Sequence, residues 1–146
     1  MGMKRTSTAV WRGDGLSGTG ALNTQSGVFK AQPYSFKTRF VDESGKSGTN
    51  PEELIAAGHA GCFTMALAFT LKEAGFVADE LQTTATITLD KVGEQFRFTA
   101  IELVLTAKIT GISDPKFQEL AQFAKKNCPV SDALASVPIQ LKATLQ

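Results

Sequence analysis

The two cysteines are the residues whose chemistry stands out in this chain. Cys62 lies in the middle of an uncharged, apolar segment (residues 54–71), and Cys128 directly precedes a proline in the segment Asn-Cys-Pro-Val-Ser (residues 127–131). Only the thiolate form of cysteine attacks a peroxide oxygen, and the resulting sulfenic acid condenses with a second thiol to a disulfide. A thiol on a buried helix and a second thiol at a helix N-terminus are the groups that thiol-based peroxide reduction requires.

A thiol on an apolar helix needs a nearby positive charge before it ionises. Burial raises the pKa of a cysteine, whereas an adjacent arginine stabilises the thiolate and keeps its own charge. Arg39 is the most suggestive arginine, because it lies on a predicted short strand (residues 36–40) where a charge needs a partner. We expect Glu52 to be that partner and to hold the guanidinium through two hydrogen bonds.

The spacing of Glu52 and Cys62 bears on how such a site is assembled. Ten residues of continuous helix separate them by about 15 Å along the axis. Either the helix breaks near Gly58, or Glu52 of one subunit completes the Cys62 site of another. We expect the second arrangement, because twofold homodimers are common and the small residues of this helix invite a close partner.

The first half of the chain predicts antiparallel strands followed by one long helix. Strands are expected over residues 6–11, 19–24 and 36–40, and residues 42–48 form a flexible loop. The helix begins with Asn50 as N-cap and Pro51 at its first position, and Gly75 ends it as a left-handed cap. Because the helix is apolar on nearly all sides, we expect protein to surround it.

The second half combines strands and helices. Alternation at Ala85, Ile87 and Leu89 predicts a strand, a turn follows at residues 92–94, and the next long strand has a bulge near Ala100. An amphipathic helix begins at residues 114–115, a shorter helix begins at residue 129 with Cys128 as its N-cap, and residues 139–145 form a strand. Antiparallel strands with segregated helices predict the α+β class, as a single domain over residues 1–146.

Composition excludes several classes of function. The net charge of +1 without a basic block argues against nucleic acid as a partner. One histidine and two distant cysteines predict no metal site and no cofactor. Two cysteines without a cleavable signal favour a cytoplasmic protein, and glycines and threonines in residues 54–71 favour a buried helix over a membrane span. His59 is interpreted as a core histidine.

Ordered motifs along nearly the whole chain resemble the OsmC/Ohr family of thiol-dependent peroxidases, with most similarity to the OsmC (osmotically inducible protein C) branch. The motifs include Trp-Arg-Gly-Asp (residues 11–14), Ser-Gly-Val (26–28), Gln-Pro-Tyr (32–34), Phe36, Thr-Arg-Phe (38–40), Gly-Thr-Asn-Pro-Glu-Glu-Leu (48–54), His-Ala-Gly-Cys-Phe (59–63), Asp-Lys-Val (90–92) and Cys-Pro-Val-Ser (128–131).

The resemblance implies an intertwined α+β homodimer with two active sites at the subunit interface, in which the N-terminal strands (residues 6–40) are exchanged across or packed on the partner. It implies reduction of organic hydroperoxides under oxidative or osmotic stress, with an external dithiol, of the lipoyl type, as reductant. Cys62 would be the peroxidatic cysteine, Cys128 the resolving cysteine and Glu52 the acid of the Asn-Pro-Glu motif. The activating arginine would be Arg39, with Arg12 as the alternative.

The residue pattern by itself leaves a structural interpretation open. Free cysteines are among the most buried residues, and Arg39 and Glu52 could be an ordinary surface cation and a first-turn acid. The competing function is a non-catalytic dimeric module that binds an apolar ligand and keeps idle cysteines.

Overall fold

The computed structural model describes residues 2–146, which form two compact units. The first unit reaches to Leu54, and the second is Ile55–Gln146. The boundary lies near the start of the long helix α1 (Pro51–Glu73). The single domain over residues 1–146 stays a prediction, and its first residue lies outside the described part of the chain.

The first unit contains a three-stranded antiparallel sheet. Its strands are β1 (Ser7–Arg12), β2 (Thr19–Thr24) and β3 (Gln32–Tyr34), in the order β1-β2-β3. The strands predicted over residues 6–11 and 19–24 are thereby confirmed within one residue. The aromatic rings of Trp11 and Tyr34 pack against Gly20, where an added Cβ would collide with both rings. Glycine is therefore the residue that this close packing admits.

The strand predicted over residues 36–40 is wrong. Lys37–Val41 forms a single π-helical turn, closed by a bond of 2.9 Å from the Asp42 N–H to the Lys37 carbonyl. The Thr38 hydroxyl accepts from the Ser35 N–H at 2.9 Å, and the Ser35 hydroxyl accepts from the Thr38 N–H at 3.2 Å. This reciprocal pairing satisfies backbone donors as a capping box does, and it starts a helical turn. Arg39 therefore lies on that turn.

Both ends of α1 follow the sequence signals. The Asn50 side chain accepts a hydrogen bond of 2.8 Å from the Glu53 N–H, as an N-cap does. Gly75 has a φ of +88°, and the N–H of Phe76 reaches back to the Leu71 carbonyl at 2.9 Å. This is the pattern of a left-handed C-cap, so the predicted start and end are confirmed.

The helix α1 is continuous through Gly58 and is buried on one face. The buried side chains are His59, Phe63, Leu67 and Leu71. Met65 and Phe69 are 63% and 62% exposed, so the prediction that protein surrounds the helix holds for one face of it in the described chain. By length and composition α1 could cross a membrane, a test that core helices of soluble proteins also pass.

The second unit contains a sheet built on a long hairpin. Strands β4 (Glu80–Val92) and β5 (Gln95–Lys108) are antiparallel and are joined at Gly93, whose φ is +64°. Thr88 pairs with Ala100 and Leu89 pairs with Phe98, so one extra residue of β5 lies between these pairs. The predicted turn and bulge are therefore confirmed.

The last strand, β6 (Ile139–Leu145), lies beside β5 and runs parallel to it. Helices α2 (Asp114–Asn127) and α3 (Pro129–Ala133) connect the two strands. A parallel pair requires such a crossover, because the chain must return to the end of the sheet from which β5 started. The α+β class is confirmed, although the sheet of the second unit is mixed rather than purely antiparallel.

The core of the second unit lies between this sheet and the helices. The buried face of α2 lies there, together with the buried face of α1 and the inward residues of β5. Its fully buried large apolar side chains are Phe63, Phe117, Leu67, Leu71, Ile101, Leu103 and Leu105, and Cys128 belongs to the same set. The core thus packs against the segment that joins α2 to α3.

Candidate active site

The two cysteines meet in the second unit. The Sγ atoms of Cys62, on α1, and Cys128, between α2 and α3, lie 3.1 Å apart. Both are free thiols; Cys128 is fully buried and Cys62 is partly buried. A disulfide bond is about 2.05 Å long, so a movement of about 1 Å joins the two sulfurs. The pair is therefore positioned for reversible disulfide formation.

The surroundings of Cys62 make its thiol hard to ionise within the described chain. Burial raises the pKa of Cys62, and the hydrogen bond with the Cys128 thiol raises it further. The backbone N–H of Val130 acts in the opposite direction without reversing the shift. None of these contributions comes from a positively charged side chain of residues 2–146.

The surroundings of Cys128 favour its thiolate. Burial alone would raise the pKa of Cys128, but hydrogen bonds with Cys62, Ser131 and Val130 outweigh it and lower the pKa. Cys128 is the N-cap residue of α3, as predicted, and its carbonyl accepts from the Asp132 N–H at 3.0 Å.

Arg39 and Glu52 form an ion pair in the first unit. Arg39 Nη2 lies 2.7 Å from Glu52 Oε1, and Arg39 Nε lies 3.1 Å and 3.3 Å from the two carboxylate oxygens. The side chains are 34% and 14% exposed, and the guanidinium also lies 4.8 Å from the centre of the Phe40 ring. The expected pairing of this cation with this acid is therefore present, and it fixes the direction of the guanidinium.

The alternative cation, Arg12, has different surroundings. It ends β1, is exposed, and has no ion pair among the described residues. The structure thus brings the predicted residues together as two pairs, the thiols in one unit and Arg39 with Glu52 in the other. That the four act together stays a prediction.

One contact at the cysteines was not predicted from the sequence. His59 is fully buried on α1, and its Nε2 lies 2.7 Å from the Oγ of Ser131 on α3. Burial lowers the pKa of His59, so the ring is neutral near pH 7. The motif Cys-Pro-Val-Ser contained the only hint, since Ser131 follows Cys128 by three residues. Among residues 2–146, no three His, Cys, Asp or Glu side chains are grouped to hold a metal ion.

Comparisons with known proteins place this geometry in a family. A model of the family described as OsmC-like protein matches residues 43–142, which include both cysteines and Glu52. The chain is 46% identical to Peroxiredoxin OsmC of Escherichia coli (strain K12) over 134 residues, 92% of each protein. It is 35% identical to the Organic hydroperoxide resistance protein OhrB of Bacillus subtilis (strain 168) over 104 residues, 68% of this chain and 74% of OhrB.

Solved structures agree with the sequence comparisons. The crystal structure of OhrB of Bacillus subtilis matches with a TM-score of 0.68 and 27% identity, covering 97% of this chain and 98% of that one. The OsmC-like protein from Mycoplasma pneumoniae matches with a TM-score of 0.76 at 18% identity over 99% of each chain, a likeness of fold alone. The chain therefore belongs to the OsmC-like protein family.

Proposed function

We propose that this protein is a thiol peroxidase that reduces organic hydroperoxides to alcohols. The observation that carries the proposal is the distance of 3.1 Å between the sulfurs of Cys62 and Cys128. The family supports it, because relatives of this chain are named a peroxiredoxin and organic hydroperoxide resistance proteins. The protein is expected to act in the cytoplasm, where reduced thiols persist.

The reaction proceeds in three steps. The Cys62 thiolate attacks the terminal oxygen of the hydroperoxide, the O–O bond breaks, and the departing alkoxide takes a proton and leaves as the alcohol. The Cys128 thiolate then attacks the sulfur of the Cys62 sulfenic acid; the S–O bond breaks, and hydroxide leaves and becomes water. An external dithiol, for which a lipoyl group is our candidate, reduces the disulfide by exchange and is itself oxidised.

The ionisation of Cys62 requires a cation, and Arg39 is our candidate. Burial and the Cys128 thiol raise the pKa of Cys62, so the thiolate needs a positive neighbour to form at neutral pH. The ion pair with Glu52 holds the guanidinium of Arg39 in one direction. A guanidinium held in this way also offers N–H donors to the peroxide oxygens as the O–O bond breaks.

We assign Arg39 and Glu52 to the partner subunit of a homodimer. Glu52 and Cys62 lie on one continuous helix, ten residues and about 15 Å apart along its axis. A break near Gly58, the alternative considered from the sequence, does not occur. Within one chain the acid is therefore too far along the helix to serve the sulfur directly, whereas a second subunit can place its own pair there.

The surface of α1 supports the homodimer. Its exposed face carries Met65 and Phe69. Beside β4 lies an open concavity whose lining is mostly small or apolar: Ala60, Gly61, Thr64, Met65, Ala68, Leu81, Gln82 and Thr83. A second copy of this chain is the occupant that we propose, because the small residues admit close approach of another backbone. Exchange of the N-terminal strands between subunits would bring the partner's Arg39 to the same region.

Steady-state turnover of cumene hydroperoxide tests the proposed function. With dihydrolipoamide as reductant, we expect the parent protein to consume the hydroperoxide much faster than hydrogen peroxide. Cys62→Ser should abolish turnover, whereas Cys128→Ser should still form the alcohol once and then stall as a sulfenic acid or its oxidation products. Full turnover by Cys62→Ser would refute the peroxidase, and binding of an apolar ligand without turnover by the parent would favour the binding module instead.

A further inference from the structure

His59 is the buried polar group that the reaction described above leaves unused. Its side chain is fully buried, its Nε2 lies 2.7 Å from Ser131 Oγ, and its Nδ1 has no hydrogen-bond partner among residues 2–146. His59 precedes Cys62 by three residues on α1, and residues at this spacing are neighbours on a helix surface. The imidazole therefore lies beside the cysteine pair, although it contacts the pair through Ser131.

The unpartnered Nδ1 indicates where the ring proton lies. A neutral imidazole carries one N–H, and buried N–H groups without an acceptor are rarer than buried acceptors without a donor. The proton therefore belongs on Nε2, the nitrogen that has a partner. In this tautomer His59 donates and the Ser131 hydroxyl oxygen accepts.

The contacts of Cys128 lead independently to the same direction. Cys128 is the N-cap of α3 and Ser131 is the third residue of that helix, a spacing at which the two side chains lie at the same helix start. Hydrogen bonding with the Ser131 side chain also lowers the pKa of Cys128. A hydroxyl has a single proton, so once Ser131 donates that proton to a thiolate its oxygen can only accept from His59. Both observations give one chain of donors that runs from His59 through Ser131 to Cys128.

We propose that His59 and Ser131 are positioning residues for the resolving step: the buried imidazole turns the Ser131 hydroxyl proton toward Cys128, and this holds the second sulfur as a thiolate aimed at Cys62. This inference rests on the proposed peroxidase function. In the step concerned, the lone pair of the Cys128 thiolate forms the S–S bond and the S–O bond of the sulfenic acid breaks. Hydroxide leaves and takes a proton from solvent, so the step needs no further reactant.

The groups that can titrate in this cluster are few. The pKa values of Cys62, Cys128 and His59 are shifted by burial and, for the two thiols, by hydrogen bonds with each other and with groups of Val130 and Ser131. The charged side chains that line an open concavity together with Ser131 are Lys125, Lys126 and Asp132, and substitution of Ser131 or His59 leaves them in place. The elements packed around Cys128 bring Cys62 from α1 and Ser131 from α3, and His59 acts through Ser131. A change in the titration of Cys128 on substitution of Ser131 or His59 can therefore be assigned to this chain of hydrogen bonds.

The first test measures the Cys128 thiolate directly and needs no peroxide. In a Cys62→Ser background, Cys128 is the only cysteine, and the ultraviolet absorbance of its thiolate is followed against pH. Adding Ser131→Ala should raise the Cys128 pKa by about one pH unit, since a hydrogen bond to a charged group is removed. Ser131→Thr, which keeps the hydroxyl, should restore the parent value. Equal pKa values for Ser131→Ala and the parent would overturn the inference.

The second test uses the fact that the chain has a single histidine. Nitrogen NMR of the reduced protein should show His59 with its proton on Nε2, and a proton on Nδ1 would overturn the donor direction. His59→Gln, whose amide can donate to Ser131, should disturb the Cys128 titration less than His59→Leu. Near-ultraviolet circular dichroism checks that each variant is folded. If a His59 variant does not fold, Ser131→Ala decides the matter, because it removes only a hydroxyl group.

The third test separates the two chemical steps in single turnovers with cumene hydroperoxide. Ser131→Ala should form the disulfide about threefold more slowly than the parent, because a rise of about one unit in the pKa of the attacking thiol cuts its thiolate fraction up to tenfold while making the remaining thiolate about threefold more nucleophilic. Formation of the Cys62 sulfenic acid should not be slowed, so the sulfenic acid accumulates. An unchanged rate of disulfide formation would refute the positioning role of Ser131 and leave the proposed peroxidase function untouched. Full turnover by Cys62→Ser would instead refute the peroxidase function, and the measured pKa of Cys128 would not be affected by that result.

Discussion

Arg39 binds Glu52 through two nitrogens of its guanidinium, with Nη2 2.7 Å and Nε 3.1 Å from the same carboxylate oxygen and Nε 3.3 Å from the other. An ammonium group cannot reproduce this geometry, because lysine offers a single nitrogen. The pair joins a π-helical turn to the first turn of α1 within the first unit. It therefore fixes the direction of the guanidinium that we propose as the activating cation of Cys62.

This pairing predicts which arginine activates the sulfur. We expect Arg39→Met to slow the oxidation of Cys62 by roughly 10-fold to 1000-fold, because a positive neighbour lowers a thiol pKa by about 1–3 units. Arg12→Met is the matched control and should have a much smaller effect, since Arg12 is exposed and unpaired among the described residues. Stopped-flow measurement of sulfenic acid formation checks this prediction, and equal small effects would mean that neither cation activates the thiol.

The proposed sharing of sites between subunits can be tested by mixing inactive variants. Cys62→Ser protein is allowed to exchange subunits with Glu52→Ala protein. In a heterodimer, the intact Cys62 of one chain then meets the intact Glu52 of the other at one of the two sites. We expect about half of the parent activity per heterodimer, because a twofold dimer has two equivalent sites.

The matched control for this exchange mixes Glu52→Ala with the double variant Cys62→Ser and Glu52→Ala. That mixture supplies the same intact cysteine but no Glu52 on either chain, so it should remain inactive. Mass spectrometry of the intact dimers confirms the exchange. If heterodimers form and no activity returns in the first mixture, each chain builds its own site.

Adjacent residues of β5 offer a test of where the core of the second unit lies. Leu103 is fully buried, whereas Val104 is 37% exposed on the opposite face of the sheet. Leu103→Ala should lower the free energy of unfolding by about 2–5 kcal/mol, because it leaves a cavity. Val104→Ala should cost about 1 kcal/mol or less. Urea titrations of the reduced variants at one fixed protein concentration measure both changes in the free energy of unfolding. Similar changes for Leu103→Ala and Val104→Ala would contradict the assigned core.

Local signals predicted much of the fold. Asn50 followed by Pro51 predicts the start of α1, because the Asn50 side chain accepts a hydrogen bond from a backbone N–H of the first turn. The alternation in β4 and the turn at residues 92–94 predict the hairpin, and the structure has the bulge expected near Ala100. These features depend on residues within a few positions of one another, which is why the sequence by itself was sufficient.

The sequence predictions fail where hydrogen bonds or tertiary contacts outweigh the local pattern of apolar and polar residues. Aromatic residues around Arg39 favoured a strand, but the exchange of hydrogen bonds between Ser35 and Thr38 starts a helical turn instead. The parallel direction of β6 depends on how α2 and α3 cross over the sheet, which alternation along β6 does not encode. The contact of His59 with Ser131 joins residues 72 positions apart, so no local pattern could reveal it.

The buried neutral His59 predicts how stability depends on pH. Burial lowers the folded-state pKa of His59 below the unfolded value of about 6.5, so the unfolded chain binds a proton that the folded chain excludes. Stability is then fully present above pH 6.5 and falls as the pH drops below it, by at most about 1.4 kcal/mol per pH unit for one proton. Asp14, with its pKa lowered to about 2, and Asp42, whose pKa is also lowered, lose stabilising charge only below about pH 4. Urea unfolding of the reduced protein between pH 7 and pH 5 should therefore show a slope that His59→Gln lacks, and identical slopes in the two proteins would show that His59 is not the group responsible.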